Sequence, residues 1–265
     1  MRYLVFGDVH GNVEALDAVL AQAPRHGATA FLFVGDLVGY GPSPVECIRR
    51  LCELQQAGRL AWVAGNHDLA VRGDAEIERF TEEAVATLRW TRSLLESEPW
   101  AREFLAGGEV VTKVNVGIWL THDSLAVPTS GGYHRTSQNA AGELNALRAR
   151  RGKICFYGHT HALRAEVLVD TSKVVIAPMV TPPPNERDPH PLRLEPGELG
   201  WVGVGSAGFP TNPKRQPEYL VLDDEEWLVE KYTVDYPRDA VRTRTQQVLR
   251  AVCPQAVADR ISRWL

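Results

Sequence analysis

No stretch of this 265-residue chain is apolar for long enough to span a bilayer, which argues against a membrane-crossing helix. Residues 3–6 are too short an apolar run for a secretory leader and pass straight into Gly7-Asp8, so no signal peptide is expected. Cysteine is scarce and unpatterned. Cys47, Cys52, Cys155 and Cys253 form no CxxC pair and no disulfide framework, so a reducing compartment, most simply the cytoplasm, is expected. Basic charge is not in excess either: the formal net charge of −4 gives no strong nucleic-acid signal through a general positive field. Internal repeats and low-complexity tails are lacking. What is present is ordinary for a globular protein, 44% apolar and 23% charged residues, in a chain long enough to bury a substantial core.

Residues 3–6, 31–34 and 60–64 are continuously apolar rather than alternating, as strands buried on both faces of a sheet should be. Two helices separate them. The first follows Asn12, a good N-cap, and carries Val13, Leu16 and Leu20 on one face. The second has Ser43 as N-cap, Pro44 at the first helical position and Glu46 at the third, which reads as a capping box. This alternation predicts βαβ units in a parallel sheet. Residues 69–106 break it with a helix-rich stretch, including a helix over 81–96, read as an insertion or cap near the sheet edge. Strand-like runs return at 109–114, 117–120, 154–157, 165–169 and 174–177, with a helix capped by Ser137 before Ile154. Residues 181–196 are rich in proline and charge and are expected to be a loop, not a strand. Residues 201–205, 219–222 and 227–234 close the β region, and a helical segment starts at about residue 238. A single domain over residues 1–265 is expected.

The polar residues fall in an informative place. Five apolar runs each end in side chains able to hold a metal: Asp8 and His10, Asp36, Asn66 with His67 and Asp68, His122 with Asp123, and His159 with His161. In an open α/β sheet, ligands bind outside the carboxyl ends of the strands, so these five ends are expected to converge on one crevice. Glycines before Asp8, Asp36, Asn66 and His159 are expected to let the backbone turn sharply there. Each piece alone reads as readily as a turn, a helix cap or a buried histidine. Their joint occurrence in one order is what carries weight.

The series Asp8-x-His10, Gly35-Asp36, Gly65-Asn66-His67-Asp68, His122 and Gly158-His159-x-His161 resembles the calcineurin-like metallophosphoesterase superfamily, in particular its small bacterial phosphodiesterase-type members. The segment 205–210 resembles a weakened form of a loop that follows these motifs in such members. The resemblance implies an α/β fold, a four-layer αββα sandwich of two mixed sheets with flanking helices. It implies two divalent transition metals, with Asp8, His10 and His161 on one, Asn66, His122 and His159 on the other, and Asp36 bridging. A ligand set of nitrogen and oxygen without thiolate suits Mn, Fe, Zn, Co or Ni, with manganese favoured. Such a pair, about 3.5–4 Å apart, would hold a bridging hydroxide that attacks phosphorus in line. His67 would then serve as general acid, with Asp68 orienting its ring and favouring the protonated form.

Phosphoprotein phosphatases of the superfamily place an arginine after the Gly-Asp pair. Here Leu37-Val38-Gly39-Tyr40 follows Asp36, so the expected substrate is a small phosphate ester, foremost a phosphodiester. The alternatives are a dinucleoside polyphosphate and, behind it, a phosphomonoester or phosphoprotein; a non-catalytic interaction module of the same fold is the remote one. Tyr40, His134 and Arg135 are candidate substrate contacts, as are Lys214 and Arg215, because loops at that face carry function.

Overall fold

The computed structural model describes residues 1–129, 137–170, 173–179, 182–184, 186 and 188–264, with residues 137–139 described by backbone alone. Its first half contains β1 (Arg2–Phe6), α1 (Val13–Leu20), α2 (Ala23–His26), β2 (Ala30–Phe33), α3 (Pro44–Gln56), β3 (Leu60–Trp62), α4 (Asn66–Arg72), α5 (Glu82–Leu95) and α6 (Pro99–Ala106). There follow β4 (Val111–Lys113), β5 (Ile118–Thr121), α7 (Ser137–Ala149), β6 (Ile154–Tyr157), β7 (Leu163–Leu168), β8 (Val174–Ala177) and β9 (Leu192–Arg193). The last elements are β10 (Leu199–Val204), β11 (Glu218–Asp223), β12 (Leu228–Thr233), α8 (Arg238–Leu249) and α9 (Gln255–Trp264).

The strands form two mixed six-stranded sheets, ordered β3-β2-β1-β11-β12-β9 and β4-β5-β6-β10-β7-β8. Their apolar runs are continuous because each strand serves two cores. Leu4 and Phe6 of β1, with Phe31 and Phe33 of β2, face a core shared with α1 and α3–α6, while Tyr3, Val5 and Leu32 face the other sheet. In the second sheet, Ile154 and Phe156 join that inter-sheet core, and Cys155, Tyr157 and Trp201 pack against α7. The layers are therefore helix, sheet, sheet, helix, as the resemblance implied.

Parallel pairing positions the site. β1, β2 and β3 run parallel in one sheet, and β5, β6 and β10 run parallel in the other. Their carboxyl ends thus lie together along one edge of each sheet.

Several local expectations need correction. Asn12 caps α1 through Ala15 N–H as expected, but Ser43 makes no capping bond to α3, and its hydroxyl is buried without a partner. The Ser43 N–H goes instead to Gly11 O at 2.9 Å, which ties the start of α3 to the loop after β1. The segment 181–196 is not strand-free: Leu192–Arg193 adds a two-residue edge to β12. The expected Ser137 cap falls on a side chain outside the described residues.

Candidate metal centre

Each expected ligand follows a strand end, and the pairings bring them together. His10 Nε2 lies 3.0 Å from His161 Nε2, and Asp8 Oδ1 is 3.3 Å from His161 Nε2 and 3.9 Å from His10 Nε2. On the other side, Asn66 Oδ1 sits 3.1 Å from His122 Nε2 and 2.9 Å from His159 Nδ1. Asp36 Oδ2 lies between the two groups, 3.7 Å from His10 Nε2 and 3.2 Å from His122 Nε2. Three overlapping sets, Asp8–His10–His161, His10–Asp36–His67 and Asp8–Asp36–His122, hold their ligand atoms within 4.8 Å of one another.

The backbone here is bent into a conformation that side chains disfavour. Asp8, His10, Asp36, Tyr40, His159 and His161 all have φ between 50° and 65°. Non-glycine residues in that region cost on the order of 1–3 kcal/mol each and persist where surrounding structure forces them. The forcing is visible: Asp8, His10 and Gly11 N–H groups bond to Gly35, Asp36 and Leu37 carbonyls, each at 2.9 Å, which zips the first loop to the second. The glycines expected to supply the turns mostly do something else. Only Gly35 is left-handed, at φ 95°. Gly65 and Gly158 are needed for space, since a Cβ there would stand 2.1 Å from Asp36 Oδ1 and 2.6 Å from Asp8 Oδ2.

Three imidazoles are oriented through their other nitrogen. His122, His10 and His161 direct Nδ1 at the carbonyls of Val34, Val38 and Phe209, at 2.7, 3.3 and 3.1 Å. A carbonyl only accepts, so Nδ1 carries the proton and the Nε2 lone pair turns inward, as in metal-ligating histidines. Two such lone pairs on His10 and His161, 3.0 Å apart, repel unless a cation or a proton lies between them. Asp8 Oδ2 is also buried without a hydrogen-bond partner. A cavity lined this way fits divalent cations.

The titration of the cluster tells the same story. Burial disfavours charge on every ring, yet the Asp36 and Asp8 carboxylates hold His122 up at about 10. Asp8 likewise lifts His161 against burial, while burial and the neighbouring His67 push His10 well below its ordinary value. Two carboxylates therefore call for positive charge here.

His67 stands beside the cluster, its ring 4.7 Å from His10, 4.9 Å from Tyr40 and 5.2 Å from Phe80. Burial lowers its pKa to about 4, with Asp36 opposing. The expected role of Asp68 is not what the geometry offers. Its carboxylate accepts from Leu37 N at 2.9 Å, Val38 N at 3.2 Å and Gly65 N at 3.0 Å, and His67 Nδ1 has no partner. Asp68 fixes the loop after Asp36 and caps α4; it does not orient the His67 ring.

Tyr40 does border the cluster. Its ring stacks on Phe209 at 4.8 Å and meets Trp264 edge-on at 6.1 Å, and its N–H bonds to Thr87 Oγ1 of α5. His134 and Arg135 lie outside the described residues. Arg215 donates Nη1 to Pro210 O at 2.9 Å.

Sequence reasoning missed what the end of β10 does. Ser206 Oγ donates to Asp8 O at 2.8 Å, Asn12 Nδ2 donates to Gly208 O at 2.9 Å, and a Cβ on Gly208 would be 1.8 Å from Val9 O. This loop clamps the Asp8 turn and holds His161 through Phe209 O. The signal available was a sixth polar strand end. Trp264 carried no signal at all, since a tryptophan on an amphipathic helix reads as core.

The fold and the buried cluster of candidate metal ligands point the same way. The chain belongs to the calcineurin-like phosphoesterase family, whose model matches residues 1–163. Among solved structures it resembles a metallophosphoesterase from Sphaerobacter thermophilus, with TM-score 0.75, 25% identity and 100% of both chains covered. A hypothetical protein from Pyrococcus horikoshii also aligns at TM-score 0.75, with 16% identity over 98% of this chain and 97% of that one. An uncharacterized protein from Methanocaldococcus jannaschii is 22% identical over 97% of this chain and 96% of its own length. A symmetrical bis(5'-nucleosyl)-tetraphosphatase from Klebsiella pneumoniae is 43% identical over 70 residues, 26% of this chain and 24% of that protein.

Proposed function

We propose that the chain is a two-metal phosphoric ester hydrolase, foremost a phosphodiesterase. The observation that carries this reading is Asp36 Oδ2 between the two ligand groups, 3.7 Å from His10 Nε2 and 3.2 Å from His122 Nε2. Asp8, His10 and His161 would hold one ion and Asn66, His122 and His159 the other, with Asp36 touching both. When bound, the ions supply a water-derived nucleophile at neutral pH and compensate phosphoryl charge. Manganese is the ion we favour for this nitrogen and oxygen set.

The protein's own residues do the rest. His67 lines the cleft beside the ligands, and its Nδ1 faces Gly39, which leaves Nε2 for the departing oxygen; the negative charge of a bound phosphate ester would raise the ring from its buried value of about 4 and let it give that oxygen a proton. Tyr40 and Phe80 flank that ring. Leu37 and Val38 are fully buried, and their amides are taken by Asp68, so no guanidinium follows Asp36 and these two amides are not available to a dianion. A diester carries one negative charge fewer and needs less compensation. The short match to a symmetrical tetraphosphatase supports dinucleoside polyphosphates as the second reading. Among the described residues no helix is long and apolar enough to cross a membrane.

The test is to strip the protein of metal, reload it with Mn²⁺, and compare kcat/KM for a bis-aryl phosphodiester with that for the matching monoester, which reports transition-state stabilisation. The diester is expected to be the better substrate. Preference for the monoester would overturn the diesterase reading, and inactivity toward both, with two ions bound, would favour a non-catalytic role.

A further inference from the structure

Beside the ligand cluster opens a cleft of about 750 Å³, whose lining includes Tyr40, Asn66, His67, His159, Arg79 and Phe80. A phosphoryl group fills only a small part of such a volume, which is typical of sites for whole organic ligands. Phe80 is half-buried and stands edge-on to His67, with rings 5.2 Å apart at 85°. Tyr40 also packs against the same ring, at 4.9 Å. Aromatic groups therefore flank the histidine past which a leaving group departs.

Arg79 adds charge. It is exposed, lines the cleft, and among the described residues takes part in no ion pair or side-chain hydrogen bond. Arg72, which lines the same cleft, is in contrast fully committed: it bonds to Asp74 at 2.6 Å and to Gly108 O at 2.7 Å. The acids nearby are mostly committed too. Asp74 is held by Arg72, and Asp123 accepts from the amides of Ser124 and Thr129, which leaves Glu76, three residues before Arg79, as the remaining acid lining the cleft. An uncommitted guanidinium beside aromatic rings matches a ligand that joins a planar ring to a second anionic group.

We propose that Arg79, Phe80 and Tyr40 form a subsite for the leaving half of the substrate, and that this half is a nucleotide: a base against the aromatic rings and a further phosphate on Arg79. The proposal rests on the phosphoesterase reading of the neighbouring cluster. Water adds to the attacked phosphorus, the bond to the leaving phosphate oxygen breaks, and that oxygen takes a proton, so two phosphates result and nothing is oxidised or reduced.

The full-length, Mn²⁺-loaded protein is assayed on diadenosine tetraphosphate and on bis(p-nitrophenyl) phosphate, which has rings but no second anion. For Arg79→Gln, the ratio of kcat/KM for the dinucleotide over the diester is expected to fall about 10–100-fold, the value of a charge-assisted hydrogen-bonded pair. Phe80→Leu, which removes only the stacking ring, is expected to lower kcat/KM for the dinucleotide about 5–50-fold. An unchanged ratio in Arg79→Gln, or a wild type that cleaves the diester but not the dinucleotide, overturns the subsite. If wild type cleaves neither substrate, the phosphoesterase reading itself fails. The subsite is then decided by calorimetric binding of ATP to protein in EDTA: weakening of about tenfold or more in Arg79→Gln sustains it, and equal affinity overturns it.

Discussion

Lys231 and Asp188 are buried as completely as the candidate metal cluster, but the two regions are built on opposite rules. Lys231 Nζ meets Asp188 Oδ2 at 3.1 Å and the carbonyl of His190 at 2.8 Å, and Asp188 accepts the N–H groups of Lys231 and His190 at 3.0 and 2.9 Å. Every charge there has partners from the chain itself. In the cluster between Asp8 and His161, lone pairs face one another, Asp8 Oδ2 has no partner, and six residues hold disfavoured backbone angles. A buried polar group without a partner is costly, so a protein that keeps several in one cavity keeps them for something that arrives from outside. A finished network marks structure, and an unfinished one marks a binding site.

The largest effect should come from breaking the finished network. Asp188 and Pro182, in the proline-rich stretch, are held to β12, the latter through Thr233 Oγ1 at 3.0 Å. Lys231→Met would leave the Asp188 carboxylate buried without its cation, which costs about 3–5 kcal/mol. Urea unfolding of the metal-free protein reads this as a lower midpoint with an unchanged slope. A loss below about 1 kcal/mol would show that the pair is not a structural anchor.

Asp36→Asn should do the reverse, removing function and sparing the fold. Asparagine is among the residues that tolerate the left-handed φ of 58° found here, and its side-chain oxygen can still accept the His67 N–H, now 2.9 Å from Asp36 Oδ1. The lost charge is the one between the two ligand groups. Turnover of a phosphodiester should fall about 10³-fold, in keeping with several kcal/mol of metal-supplied charge stabilisation. Elemental analysis should show fewer ions per chain, and the melting temperature in EDTA should stay the same or rise. If turnover fell while both ions stayed bound, Asp36 would not be the bridging ligand.

How legible these two regions were in the sequence follows from the same contrast. Candidate metal ligands at strand ends are local patterns, and the parallel pairing of β1–β2–β3 and β5–β6 carries them to one edge without further information. The apolar strands were legible because each faces two cores. Asp68 was misread because its three amide partners come from residues 37, 38 and 65, and only the folded loop brings 37 and 38 to it. The Lys231–Asp188 pair spans 43 residues, and β9 is two residues long, so neither leaves a periodic trace. Ser43 has the composition of a capping box, but tertiary contact with Gly11 redirects it.

His26 supplies the smallest effect and sharpens the contrast from the side of pH. It ends α2, buried, with Nε2 3.0 Å from the Tyr219 hydroxyl and its ring 4.2 Å from that of Tyr232. Burial lowers its pKa below the ordinary value, Arg25 and Arg2 add to this, and Glu230 opposes it. The folded chain therefore holds this ring neutral, whereas the unfolded chain protonates it at about 6.5. Between the folded value and 6.5 the unfolded state binds more protons, so the contribution of His26 is full above about pH 7 and is lost as pH falls. His26→Gln should remove that slope. The quantity to follow is the stability of the wild type minus that of the variant, both in EDTA, from roughly pH 7.5 to 5. The histidines of the proposed metal site titrate alike in both proteins and cancel in the difference. The difference should shrink, or turn against the wild type, on acidification; a flat difference would mean that His26 is satisfied as an ion and belongs with the finished networks after all.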